Sequence, residues 1–344
     1  MNAQHFNFQD SPLTGIGGRR VIFIAAMGFE DRALTFPNEL AASDMHGVVI
    51  PIRYVHPKGN NHESEFRTLF ANNHSWQLNE IKYSISRAHD FEPLFDKTLK
   101  AISVSENDVV IVDISAMSKF LILVTLLRLW GHKKDMRLVI TTAKTYAPSK
   151  NEFVETMNTQ GRSVRTIAGQ PSTGVAAILR SNCMVSTRMQ GQPACAIAFT
   201  SFNEELIRHA IGTLNPRRLI LINGMPPSPI GKWRASATQA IHSRLIDEYA
   251  SDNPIDTESG ILRHTVSTLL YRETLDLLEA LHTKYGLTER MIYFATGSKM
   301  QTVALAIHRH HHADVHVEYP TPDSYYFQEY SKGVDKVYWT DITV

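Results

Sequence analysis

Val109-Val110-Ile111-Val112-Asp113-Ile114-Ser115-Ala116-Met117-Ser118-Lys119 and Met291-Ile292-Tyr293-Phe294-Ala295-Thr296-Gly297-Ser298-Lys299-Met300 are the two stretches on which the reading of this chain turns. Each opens on a short apolar run with the length of a buried strand. Each then passes through a few small residues into a helical pattern, Lys119–Trp130 in one case and Met300–His310 in the other. Aligning Lys119 with Lys299 aligns Ser118 with Ser298 and sets Asp113 opposite Tyr293.

Working outward, further strand-length apolar runs occur at Val21–Ala26, Val48–Ile52 and Leu138–Thr141, and again at Ala194–Phe199, Leu219–Ile222 and Val315–Glu318. Helical patterns at Phe91–Ile102, Glu204–Leu214 and Thr268–Tyr285 separate several of them. Continuous apolar strands alternating with helices predict an α/β fold with mostly parallel sheets covered on both faces. The order of features also repeats. Val21–Ala26 runs into Gly28-Phe29-Glu30-Asp31-Arg32, and Ala194–Phe199 runs into Ser201-Phe202-Asn203-Glu204-Glu205. Prolines lie at the end of or just beyond the second strand of each set (Pro51 and Pro57; Pro226, Pro227 and Pro229), and the closing strands lead to Tyr146-Ala147-Pro148 and Tyr319-Pro320. The expectation is two tandem Rossmann-like halves related by internal duplication. Residues 1–158 form the first half, the Gly-, Ser- and Gln-rich residues 159–192 a connector, and residues 193–344 the second half.

A chain of 344 residues suits two domains, and a formal charge of +1 lacks the basic excess of a nonspecific nucleic-acid binder. The two cysteines, Cys183 and Cys195, are read as too few for a disulfide scaffold or a four-ligand zinc site. The polar start, Met1–Thr14, does not read as a signal peptide, and no run approaches the roughly 20 apolar residues that cross a bilayer. The expected compartment is the cytoplasm, without membrane association.

In an open parallel sheet, ligands sit beyond the carboxyl ends of the strands, at the switch in strand order. Both Ser-Lys pairs fall there, at the start of a helix, where backbone N–H groups and the helix dipole favour an anion. Ser118, Lys119, Ser298 and Lys299 are therefore the expected phosphate ligands, with Gly297 allowing close backbone approach. Helix capping by the serines and solvation of the lysines is the competing reading. Arg32 is expected either to hold a phosphate or to pair with Glu30. Lys232, in the Pro- and Gly-rich Gly224–Trp233, is expected on a lid over the cleft or on a surface loop. If one half is catalytic, Glu30, Asp113 and Ser115 in the first half are the candidates for general base, charge stabiliser and hydroxyl group, against a plain capping role. Ser115-x-x-x-Lys119 lacks the spacing of a Ser-x-x-Lys nucleophile pair, and Pro226 and Trp233 exclude a Walker phosphate loop. His308 and His312, one helical turn apart, invite a metal reading. Their place at a helix C-terminus favours a structural role with the dipole, so no metal and no cofactor is expected. Tyr319, Tyr325, Tyr326, Phe327 and Tyr330 are expected to pack a terminal β segment onto the sheet or to stack on a base.

Thr296-Gly297-Ser298-Lys299-Met300, after an apolar strand and before an alanine-containing helix, resembles the Gly-Thr-Lys signature of CRISPR-associated Rossmann-fold (CARF) domains, with serine in place of threonine. Met117-Ser118-Lys119 lacks the glycine. The resemblance implies binding of a cyclic oligoadenylate, with the phosphate-binding lysine role on Lys299 and, by the repeat, on Lys119. The Phe29–Arg32 and Asp113–Ser115 segments also resemble those of uncharacterised bacterial defence-island proteins, which implies no activity. The favoured expectation is a nucleotide sensor of prokaryotic defence holding ligand phosphates between its halves, with a protein effector or a second copy as partner. The alternatives are a nucleotide-cleaving phosphodiesterase or N-glycosidase, and a scaffold subunit of a defence complex.

Overall fold

The computed structural model describes residues 10–55, 62–71, 73–161, 167, 169–252, 262–326 and 330–344. Residues 1–9, Pro57 and Phe327, to which the expectations above refer, lie outside these, as do residues 162–166 and 168 of the expected connector.

The elements run β1 (Val21–Met27), α1 (Thr35–Ala41), β2 (Gly47–Tyr54), α2 (Glu63–Ala71), β3 (Trp76–Leu78), β4 (Ile81–Tyr83), α3 (Phe91–Ile102), β5 (Val109–Asp113), α4 (Lys119–Leu129) and β6 (Asp135–Tyr146). There follow α5 (Lys150–Gln160), β7 (Ser172–Thr173), β8 (Ala177–Leu179), β9 (Ala194–Phe199), α6 (Glu205–Leu214), β10 (Arg218–Met225), α7 (Trp233–Asp252) and β11 (Leu262–Ser267). The chain closes with α8 (Tyr271–Tyr285), β12 (Arg290–Phe294), α9 (Lys299–His311), β13 (His316–Thr321), β14 (Ser324–Tyr325) and β15 (Ser331–Thr343). Every expected strand and helix is present, with ends moved by a few residues.

The fold is α/β, and the chain divides into two compact units. One comprises residues 1–121, 125–146 and 327–344; the other comprises residues 122–124 and 147–326. In the first, the sheet order is β15-β6-β5-β1-β2-β3, with β4 also on β2; in the second it is β11-β10-β9-β12-β13-β8. Within each, the first three strand positions step outward in one direction and the next two step outward in the other, so the order reverses between β1 and β5 and again between β9 and β12. All these pairings are parallel. Each sheet ends on one antiparallel strand, β15 on β6 and β8 on β13.

Three expected boundaries are corrected, the first because residues 147–158, with α5, fall in the second unit. The last strand, β15, belongs to the first unit, because its backbone pairs with β6 along most of its length. The expected connector supplies β8 to the second unit's sheet and β7 to a two-stranded ribbon with β14.

Burial follows the strand composition. All seven residues of β1 are buried, as a strand covered on both faces requires. Phe23 packs edge-on to Phe36 of α1 at 5.5 Å and lies 6.1 Å from Phe70 of α2, which meets Trp76 edge-on. Burying each such ring contributes about 1.5–3 kcal/mol. In the second unit Ala196, Ala198, Leu219, Leu221 and Phe294 from three strands share a core with Ile207 and Ile211 of α6 and Leu245 and Tyr249 of α7.

The registers correct the alignment of the two halves. Asp113 pairs with Ala25 and Val139, and Phe294 pairs with Ala198 and Glu318. Asp113 is therefore the counterpart of Phe294 rather than of Tyr293. The loop before the capping serine is one residue longer in the first unit, Ile114–Met117 against Ala295–Gly297. On the same register Phe29 corresponds to Phe202, as the sequence repeat predicts.

Candidate functional sites at the strand-order switches

In the second unit the loop after β12 is fastened on three sides. The Thr296 hydroxyl donates to the Phe199 carbonyl at 2.6 Å and accepts from the Phe199 N–H at 3.1 Å, which ties the loop to β9. Ser298 caps α9: its Oγ accepts from the Gln301 N–H at 3.2 Å, while Gln301 Oε1 accepts from the Ser298 N–H at 2.7 Å. This reciprocal pair is a capping box. The Ser298 hydroxyl hydrogen goes to the Thr268 carbonyl at 2.7 Å. The expected hydroxyl ligand is thus committed to the fold. The half-buried Lys299 is the first residue of the helix, whose own ladder begins with the Thr302 N–H to the Ser298 carbonyl, so the Lys299 and Met300 N–H groups at this end have no acceptor within the helix.

Gly297 is required by packing. A Cβ there would lie 2.6 Å from Phe199 Cβ and 2.3 Å from Gln301 Oε1. In the first unit the same two loops meet with the glycine on the other side: a Cβ on Gly28 would lie 2.6 Å from Ala116 Cβ. The glycine that the Met117-Ser118-Lys119 stretch lacks is supplied across the switch, from the end of β1.

The corresponding loop of the first unit is strapped by side chains. Asp113 Oδ1 accepts from the Ser115 N–H at 2.8 Å, and the fully buried Ser115 Oγ accepts from the Thr141 N–H at 2.7 Å. The Tyr54 hydroxyl, at the end of β2, donates to the Ala116 carbonyl at 3.1 Å and accepts from the Ser118 N–H at 2.8 Å. Ser118 Oγ caps α4 through the Leu121 N–H. Lys119 is half-buried as a residue, and desolvation brings its ammonium down to a pKa of about 8. Asp113 and Ser115 therefore hold the loop's shape. Tyr54 was not among the residues singled out from sequence; its only signal is an aromatic at the carboxyl end of a central strand.

Glu30 and Arg32 form a buried ion pair, 6% and 4% exposed, with Arg32 Nε 3.0 Å and Nη2 2.5 Å from Glu30 Oε1. Arg32 Nη1 also donates to the Thr141 carbonyl and the Tyr146 hydroxyl, both at 3.1 Å, and Ser331 Oγ donates to Glu30 Oε1 at 2.6 Å. Phe29 meets Tyr330 edge-on at 5.9 Å, and Asp31 Oδ2 accepts from the Gly333 N–H. The segment fastens the end of β1 to β6 and β15. Of its two expected roles Arg32 takes the pairing one, and Glu30 is engaged as its partner. The terminal β segment expected near Tyr330 is β15, and Tyr319 and Tyr325 approach each other through their hydroxyls at 3.3 Å.

The Lys232 region is a surface turn. Pro229–Gly231 is a single 3₁₀ turn, the exposed Lys232 follows it, and Trp233 begins the long helix α7. Trp233 stacks on Phe153 of α5 at 5.7 Å, and Arg234 donates to the Ala147 and Pro148 carbonyls at 2.7 and 2.9 Å. Lys232 is thus a surface residue beside a fixed anchor. Among the described residues no helix is long and apolar enough to cross a membrane.

No family model and no curated protein matches this sequence. Among solved structures, one similar chain is a protein assigned as a universal stress protein from Pseudomonas aeruginosa UCBPP-PA14. It has 9% identity and a TM-score of 0.24, with 90% of this chain and 95% of that one covered. Another is the cytoplasmic domain of a prokaryotic cation chloride cotransporter, with 8% identity and a TM-score of 0.23, covering 90% and 98%.

Proposed function

We propose that this chain binds the phosphates of a nucleotide at the Ser118-Lys119 and Ser298-Lys299 loops, each within its own unit, and acts as a nucleotide sensor. The observation that carries this reading is the repeated placement of a lysine as the first residue of a helix at the carboxyl end of a strand bordering the reversal of strand order. Open α/β sheets take their ligands there. A lysine in a first helical turn opposes the dipole, and an anion reverses that balance. The desolvation of the Lys119 ammonium adds to the case, because a bound phosphate would offset it.

Recognition would run through the two ammonium groups and the N–H groups of the first two residues of each helix, since the serine side chains are engaged as caps on the third. Cyclic oligoadenylates are the ligand class that the CARF resemblance implies, and a role in prokaryotic defence through an effector protein belongs to the same proposal. Cleavage has weaker support: Glu30 is paired with Arg32, and Ser115 holds the Thr141 N–H.

The test is native mass spectrometry of the purified chain with a panel of cyclic oligonucleotides, ATP and NAD. A mass shift from a panel member, lost in Lys299→Ala and in Lys119→Ala with folding intact, is the expected result. No shift with any member, or a shift unchanged in both variants, overturns the proposal and favours a scaffold.

A further inference from the structure

At the far end of α9 from Ser298, the structure assembles a cluster that the sequence reading assigned to the helix dipole. Glu279 and His282 lie one turn apart on α8; His308 and His312 lie one turn apart on α9 and its cap, and Asp314 follows. Glu279 Oε1 is 2.8 Å from His308 Nδ1, and its Oε2 is 2.7 Å from His312 Nε2. The His282 and His312 rings are 4.0 Å apart and the His308 and His312 rings 4.7 Å. His282 Nε2 is held by Asp314 Oδ2 at 2.8 Å. His308 is fully buried, and its Nε2 is 3.0 Å from the hydroxyl of buried Tyr293. Three imidazoles and two carboxylates gathered in this way exceed what a favourable dipole contact requires.

We propose that Glu279, His308 and His312 bind one divalent transition ion of the zinc type, clamping α8 to the end of α9. The ligand atoms of these three residues all lie within 4.8 Å of one another. A tetrahedral zinc ion with bonds of about 2.0–2.1 Å sets its donors about 3.3 Å apart, so the present carboxylate–imidazole contacts need open by only about 0.5 Å. Mixed imidazole and carboxylate donors suit zinc, whereas calcium and magnesium take oxygen. Ligating histidines characteristically have their second nitrogen held by a hydrogen-bonding partner, the role of Tyr293 at His308. His282, backed by Asp314, stands against His312 as the nearest further donor. His312 and Glu279 are 26% and 37% exposed, which provides an entry path to the buried His308.

The test uses untagged full-length protein stripped with a chelator. Zinc is titrated in competition with a chromogenic chelator, and cobalt is followed by its visible absorption. One equivalent per chain is expected, with affinity lowered about 100-fold or more in His312→Ala and in Glu279→Gln. His310→Ala and His311→Ala, which remove exposed imidazoles outside the cluster, should leave it unchanged. Should His312→Ala fail to fold by circular dichroism, Glu279→Gln on the exposed side carries the same comparison. Absence of stoichiometric binding, or equal weakening by the His310 and His311 variants, overturns the proposal.

Discussion

Replacing Arg32 by methionine tests whether the segment after β1 is architecture rather than catalytic machinery. The substitution keeps much of the apolar stem and removes a guanidinium that reaches Glu30, the Thr141 carbonyl and the Tyr146 hydroxyl. Glu30 is left buried without its cation, with Ser331 Oγ still donating to it. Removing one partner of a buried pair costs about 3–5 kcal/mol. A loss of about 4 kcal/mol is roughly a thousandfold in the unfolding equilibrium. With a urea dependence of about 2 kcal/mol per molar, the midpoint falls by about 2 M. Trp76, Trp130 and Trp339 lie in the same unit, so intrinsic fluorescence during urea titration reads this transition. The double variant Glu30→Gln/Arg32→Met removes both charges and should recover part of the loss. A midpoint shift below about 0.5 M, or two single losses that simply add in the double variant, would refute the reasoning.

Lys119 should react with an amine-selective label along a pH profile centred near 8, well below an ordinary lysine, and bound phosphate ligand should slow that reaction. Its folded pKa is lowered, so the desolvation penalty is fully present below about pH 8 and is relieved as pH rises towards the unfolded value near 10.4. A profile centred above 10 would contradict the buried ammonium. Gly297→Ala places a Cβ against Phe199 and should cost about 1–3 kcal/mol, a fall in melting temperature of about 5 °C by calorimetry. An unchanged melting temperature would show that the loops can part. His242, buried on α7 with Nδ1 at the Thr238 carbonyl, is held neutral down to a pKa of about 4. The unfolded chain binds the extra proton between about pH 6.5 and 4, so stability falls as pH drops through that window, by up to about 1.4 kcal/mol per pH unit. His242→Leu should flatten this acid slope, and identical slopes for the two proteins would count against it.

The strands and helices carried by continuous apolar runs or strong amphipathic stripes were legible from sequence, as β1, β5, α3 and α9 illustrate. What was missed has a physical cause in each case. The buried stripe of α7 runs through Ala237, Thr238, Ile241, His242 and Leu245, and small and polar members dilute its periodicity. Strand β15 is an edge on which only Trp339 and Ile342 are buried, and its partner β6 is remote in sequence, so no local pattern assigns it to the first sheet. Helix α5 did carry a readable mark, the Ser149–Glu152 capping box. At the switches, sequence located Ser118, Ser298 and both lysines correctly at the helix starts. Capping was one of the two readings open for the serines, and its partners Leu121 and Gln301 are local; what sequence could not show is the further bond of Ser298 to the Thr268 carbonyl, which comes from a separate element. Similarly, the helical spacing of His308 and His312 was visible, but Glu279, which joins them, sits on another helix.

The assignment of β15 to the first sheet has a consequence for biosynthesis. The ribosome delivers β6 long before the strand that covers its outer edge, and the whole of the second unit emerges in between. The half of the protein made first is therefore the half completed last. Until Ser331–Thr343 leave the exit tunnel, β6 presents an open ladder and Glu30 lacks the Ser331 hydroxyl. During that interval the raw edge of the first unit can pair with another chain, so translation speed and chaperone occupancy bear on its yield.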